Sequence, residues 1–232
     1  MGCYRSGTSA IAGILHHLGV NMGVGFQEPN AQNPKGYFED PDFIKANLKI
    51  YEAMNQDDDF EYHNGIFEAK KAFHELCKLR SIQILSRHRS TVGSDIWGFK
   101  DPKFCVVAKH VELHPDTKII WIHRDVDETA LSIIKSLSLH GKDANMDKWR
   151  TFVEHYRDQT TNYMAGWDAL HTLDINFPNL LENPRTCINV IADFISMQEE
   201  GTVGGWNIPN VHSYDEHLGC PKIRKAYEFM GV

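Results

Sequence analysis

Residues 2–9 read GCYRSGTS, and residues 10–18, AIAGILHHL, follow directly. Gly2 and Gly7 stand at the separation of the two glycines in the phosphate-binding loop GxxxxGK[ST]. The segment behind them is helical in composition and stops at Gly19, a natural C-terminal cap. A glycine turn feeding a helix aims backbone N–H groups and the positive end of the helix dipole at one point, where an anion can sit. The lysine position of the loop is Thr8, and a positive charge stands earlier, at Arg5. An enzyme that cleaves a terminal phosphate relies on that lysine and on Mg²⁺. The loop therefore keeps the cradle and changes the chemistry. Such a loop normally follows a buried strand, and here only Met1 to Tyr4 precede Arg5. The plain alternative is a Gly/Ser helix cap.

A second anion site is expected further along. KIIWIH, 118–123, is a β-branched and aromatic run of strand length, apolar on both faces, as a buried parallel strand would be. Arg124 follows it, at the strand end where α/β proteins bind ligands, and could clamp a phosphate bidentately. Ser132 lies about two turns into the next helix and could add a hydroxyl. The alternative is an exposed Arg124–Asp125 pair and a solvent-facing serine.

Around these two segments the coarse pattern alternates. Helices are expected at 42–54, 65–88, 127–139 with Asp127 as N-cap, 146–170 and 184–197. Short strands are expected at 97–100 and 171–177, and an ordered loop at 20–41. Alternating strands and helices predict an α/β fold with a parallel sheet, built in three layers with helices on both faces. A chain of 232 residues fits one domain, 1–232, with a helical insertion at about 40–95.

Composition narrows the function. Hydrophobic residues are 42% and charged residues 24%, so the chain is neither disordered nor fibrous. A net charge of -7 argues against coating nucleic acid, which calls for a basic face. No apolar run approaches the ~20 residues of a membrane span, and no basic n-region precedes an apolar stretch at the start. Five widely spaced cysteines, with no CxxC pair, point to free thiols in a reducing, cytoplasmic setting. Thirteen histidines include no HExxH or comparable spacing, so no metal is called for.

The two anion sites, in this order, resemble those of sulfotransferases that use 3′-phosphoadenosine 5′-phosphosulfate (PAPS). Arg5-Ser6-Gly7-Thr8-Ser9 is similar to the [KR]SGT[ST] loop that cradles the 5′-phosphosulfate in that family. Arg124 with Ser132 is similar to the pair that holds the 3′-phosphate. NPKGYFED at 33–40, GFKDPK at 98–103 and NFPNLLENP at 176–184 resemble further family segments. Val126 replaces the usual proline after the Arg-Asp pair, Pro178 and Asn179 replace an acidic pair, and a C-terminal RKGxxGxW loop is absent; Lys222, Arg224 and Lys225 are either its substitute or a solvated helix face.

The resemblance implies a P-loop-like α/β fold and sulfuryl transfer from PAPS to a hydroxyl or amine. The expected acceptor is a small molecule, with a carbohydrate or glycolipid as the class suggested by bacterial members. It implies that Arg5 and the amides of Ser6 to Ser9 hold the 5′ end and that Lys100 brings a second cation to the leaving group. Glu39 is the first choice for the general base and Glu28 the second. The rival readings are a P-loop nucleotide kinase or NTPase, and a binding protein that kept the cradle without turnover.

Overall fold

The computed structural model describes residues 1–54, 67–80, 96–138, 145–196 and 221–232. Helix α1 (Thr8–Leu18) starts at Gly7 and ends at Gly19, both left-handed. Helix α2 (Pro41–Ala53) is capped by the Asp40 carboxylate, which accepts from the Asp42 N–H, with Pro41 at the first turn. Residues 67–80 form α3. The short α4 (Phe104–Val107) runs into a 3₁₀ turn at Ala108–His110. Strand β1 (Ile119–His123) leads into α5 (Val126–Ser138), and α6 (Met146–Met164) leads to β2 (Thr172–Asn176). Helices α7 (Phe177–Glu182), α8 (Pro184–Ser196) and α9 (Pro221–Met230) complete the described residues.

Strands β1 and β2 are parallel, in register from Ile119 opposite Thr172 to His123 opposite Asn176. Met1 lies on the other edge of β1. Its amine donates to the Ile120 carbonyl, and the Ile122 N–H donates to its carbonyl at 2.9 Å. That is the bond pattern of a parallel ladder. A parallel bridge joins Asn21 to Trp97. The α/β class with parallel pairing is as expected; the described strands are two.

Apolar side chains gather in two clusters. One unites α1, α8 and α9 with the sheet through Ile14, Leu18, Ile122, Ile188, Ile191 and Ile223. The other joins α2, α3, α4 and α6 through Phe43, Phe73, Phe104, Val107, Val153 and Tyr156. Phe43 stacks on Phe99 with ring centroids 4.3 Å apart.

Several expected boundaries move. The N-cap of α5 is Asp125 rather than Asp127: its carboxylate accepts the Glu128 N–H at 3.0 Å, leaving Asp127 free to pair with Arg150. The 146–170 helix ends at Met164, because Asp168 organises a turn by accepting the Leu170 and His171 N–H groups. Residues 97–100 form one bridge and no strand. β2 stops at Asn176 because that side chain caps α7. Of the 65–88 helix, 67–80 is described; Phe73 is buried, but Phe67 and Leu79 are 65% and 54% exposed and do not belong to the expected apolar face. Asp57, Asp58 and Asp59, three adjacent acids for which the sequence predicts a solvated turn, lie outside the described residues, as does the rest of that helix.

Candidate active site

The loop before α1 is held from within. A Cβ on Gly2 would stand 2.5 Å from the Ile122 carbonyl oxygen, so only glycine lets the two backbones approach. Ser6 is buried, and its hydroxyl donates to the Cys3 carbonyl at 2.7 Å, turned away from solvent. Gly7 has φ 98°, and a Cβ there would meet the Phe177 ring at 2.2 Å. Helix geometry leaves the first amides of α1, from Thr8 and Ser9, without intrahelical acceptors. Arg5 is a non-glycine residue at φ 65°, a conformation L-residues avoid. It directs an exposed guanidinium across the loop: Nε donates to Ser132 Oγ at 3.3 Å and Nη1 to the Gln32 carbonyl at 3.1 Å. Residues 127 apart in sequence thus meet at the start of α1.

The other side of the helix start carries Lys100. Its ammonium donates to Ser9 Oγ at 3.2 Å and forms an ion pair with Glu39. An ammonium has three N–H groups, so one is left to meet an anion. Burial pulls the Lys100 pKa below its ordinary value, with Glu39 opposing the shift. The Lys100 ion pair is with Glu39 and not with its chain neighbour Asp101. Asp101 is buried instead as an anchor, accepting from the Lys103 N–H at 2.9 Å and Asn47 Nδ2 at 3.1 Å; burial raises its pKa. Asp40 does the same beside Glu39, capping α2 and binding Arg80 at 2.5 Å. Lys100 and Glu39 therefore each have a chain neighbour that fixes the backbone.

Arg124 stands apart from Ser132. Its Nε donates to Glu128 Oε2 at 2.7 Å, and its guanidinium lies 5.5 Å from the Phe177 ring centre. Phe177 bridges the two anion sites, touching Gly7 on one side and Arg124 on the other. Glu28 is exposed on its loop, and no contact ties it to Lys100 or Arg5. His16 and His17 pack against Phe38, with burial pulling both pKa values down. Lys222, Arg224 and Lys225 are exposed on α9. Among the described residues no cluster of His, Cys, Asp or Glu could hold a metal ion, and Cys3, Cys105 and Cys187 form no disulfide. No described helix is long and apolar enough to cross a membrane.

Sequence reasoning missed three participants. Glu128 was readable, being four residues beyond Arg124 on a helix. Gln32 acts through its carbonyl and Phe177 through packing, and neither leaves a local signal.

A family model described as the sulfotransferase family matches residues 1–200. The chain belongs to the sulfotransferase family. Two solved structures are similar to it. One is a sulfotransferase domain from the curacin biosynthetic pathway, with 15% identity, TM-score 0.46, and coverage of 86% of this chain and 73% of that one. The other is a sulfotransferase from Alicyclobacillus acidocaldarius, with 12% identity, TM-score 0.46, and coverage of 99% and 93%. No curated protein matches. Family membership, a parallel α/β fold and a cationic helix start agree with a transferase and disfavour the kinase reading, whose lysine position is Thr8.

Proposed function

We propose that this sulfotransferase moves a sulfuryl group from PAPS to a hydroxyl or amine of a small-molecule acceptor, with a carbohydrate or glycolipid as the expected class. The observation that carries the reading is the convergence of Arg5 and Lys100 on the two sides of one helix start, with Arg5 already on Ser132. The bound donor supplies an activated sulfuryl group and a bisphosphate leaving group. The amides of Thr8 and Ser9, with Arg5, suit the 5′ end of such a molecule. Arg124 and Ser132 suit the 3′-phosphate, once Arg124 exchanges its exposed partner Glu128 for a phosphate, which takes a bidentate guanidinium well.

Lys100 meets charge that grows on the leaving oxygen. A fixed cation in a half-buried site is worth more there than in water; removal of one such donor typically costs ~10²–10³ in rate. Glu39 is the base: its carboxylate is held by Lys100, so proton acceptance and leaving-group stabilisation are coupled through one ion pair.

The test is a thermal melt with 3′,5′-adenosine bisphosphate beside ATP with Mg²⁺. A ligand at about 100 times its Kd adds about 2.7 kcal/mol, roughly 5–10 °C for a domain of this size. A rise with the bisphosphate is expected. A rise with ATP–Mg²⁺ alone, or with neither, overturns the proposal.

A further inference from the structure

Phe38 turns the chain in a direction its residue type disfavours. Its φ of 53° is left-handed, a region that residues with a side chain seldom enter and glycine enters freely. The ring holds it there. Phe38 packs with ring centres 5.4 Å away at His16, 6.5 Å at His17, 5.7 Å at Phe26 and 5.7 Å at Phe229, the last edge-on. Phe229 of α9 is itself seated on α1: a Cβ on Gly13 would stand 2.2 Å from its Cζ. Lys35 fastens the same place, donating to the Phe229 carbonyl at 2.5 Å with its ammonium 5.1 Å from the ring centre.

Glu39 follows Phe38 directly. On its other side Asp40 caps α2 and binds Arg80. Between these two anchors the Glu39 carboxylate meets Lys100, which also donates to Ser9 Oγ on α1. Ser9, Gly13, His16 and His17 recur at the spacing of one helix face. One stripe of α1 therefore meets Lys100 at its start and seats Phe229 and Phe38 towards its end.

We infer that Phe38 is the positioning residue for Glu39: its ring, clamped between α1 and α9, holds the left-handed turn that aims the Glu39 carboxylate at Lys100. The inference rests on the reading of Glu39 as the base. A glycine would adopt this turn without strain, so a phenylalanine here is explained by what its ring grips. A strained backbone persists only where its surroundings over-determine it, and the aromatic seat does so. A base has to stay within hydrogen-bond reach of the proton it takes, and a displacement of ~1 Å can cost ~10²-fold in rate. The Phe38 ring lies against α1 and α9 rather than at Lys100, so it acts through Glu39, and Phe229 acts one step further back.

The experiment compares three variants with the parent chain: Phe38→Gly, which permits the turn and removes the ring; Phe38→Tyr, which keeps the ring; and Phe229→Leu, which removes the ring's support and leaves an apolar side chain. The first readout needs neither donor nor acceptor. It is the coupling between Lys100→Met and Glu39→Gln in urea unfolding, expressed as a ratio of unfolding constants. That coupling should fall about fivefold or more in Phe38→Gly, persist in Phe38→Tyr and take an intermediate value in Phe229→Leu. The second readout is release of 3′,5′-adenosine bisphosphate from PAPS with water as the acceptor. In Phe38→Gly kcat should fall about tenfold or more, while KM for PAPS and Kd for the bisphosphate stay within about twofold. Phe38→Tyr should restore kcat. With Glu39→Gln already in place, Phe38→Gly should slow turnover no further. Unchanged Lys100–Glu39 coupling in Phe38→Gly would overturn the inference. So would equal slowing by Phe38→Gly with and without the Glu39 carboxylate, which would mark a general loosening of the fold. Reduced coupling with kcat unchanged would instead overturn Glu39 as the base and leave the hold of Phe38 on the ion pair standing, so the two failures are told apart.

Discussion

Gly7→Ala tests the loop at its tightest point. Gly7 has φ 98°, and an added Cβ would lie 2.2 Å from Phe177 Cδ2 and 3.0 Å from Ile122 Cδ1. The left-handed conformation costs alanine about 1–2 kcal/mol. Forcing a methyl into a filled space costs about 1–3 kcal/mol more. The loss is therefore about 2–5 kcal/mol, or roughly 5–20 °C in Tm for a domain of this length. Gly25→Ala is the control: φ is 72°, but the nearest atom is Pro41 Cγ at an ordinary 3.7 Å, so only the backbone cost of about 1–2 kcal/mol applies. Phe177 is half-buried and can swing aside, which would carry the Gly7→Ala change to Arg124. Urea unfolding followed by circular dichroism reads stability, and titration with 3′,5′-adenosine bisphosphate reads the site. Phe177→Ala in the Gly7→Ala background should recover part of the loss, giving a coupling of about 0.5–3 kcal/mol. Equal midpoints for Gly7→Ala and Gly25→Ala, together with no recovery in the double variant, would refute the packing argument.

Three further outcomes are expected. Lys100→Met strands the Glu39 carboxylate, whose side chain is 19% exposed; it should lose about 1–3 kcal/mol, less than a fully buried pair would. Adding Glu39→Gln should restore midpoint stability while sulfuryl transfer stays at least ~10²-fold down, so recovered turnover would remove both Lys100 and Glu39 from the chemistry. Ser132→Ala and Arg124→Ala should each weaken the 3′,5′-bisphosphate by about tenfold but leave 5′-AMP affinity nearly unchanged; equal losses for both ligands would argue against a 3′-phosphate site. The Met1 amine, held below its ordinary 8.0 by burial, binds its proton more readily in the unfolded chain. Its contribution to stability is thus present above about pH 8 and lost as pH falls through the folded value. Urea midpoints from about pH 6 to 9 should show this fall in chain with an intact Met1, verified by mass, and lack it after N-terminal acetylation; matching profiles would contradict the buried ammonium.

Much of the local structure was readable because its causes are local. Gly19 caps α1, Pro184 opens α8, and the apolar run at 119–123 forms β1. The errors arose where two local signals competed. Asp125 and Asp127 are both plausible caps, and backbone geometry selected the one whose carboxylate reaches the Glu128 N–H. The aromatic stripe of α6 extends in sequence to Trp167, but the Asp168 turn ends the helix first. The bridge at Trp97 depends on Asn21, a partner that residues 97–100 cannot reveal.

The site divides along the same line. The chemical inventory was legible from residues alone: a glycine cradle ahead of a helix, an arginine at a strand end, a lysine followed by an aspartate, and an order of segments that resembles sulfotransferases. These follow from residue type and short spacing, where chain connectivity fixes geometry. The partners were set by packing. It gave Arg5 to Ser132 rather than leaving that serine to Arg124, and joined Lys100 to Glu39 across 61 residues. It also set Met1 against the free edge of β1, where the Ile122 N–H donates to its carbonyl. Such pairings depend on how helices and strands pack, and packing is a property of the whole chain that no short window of residues contains.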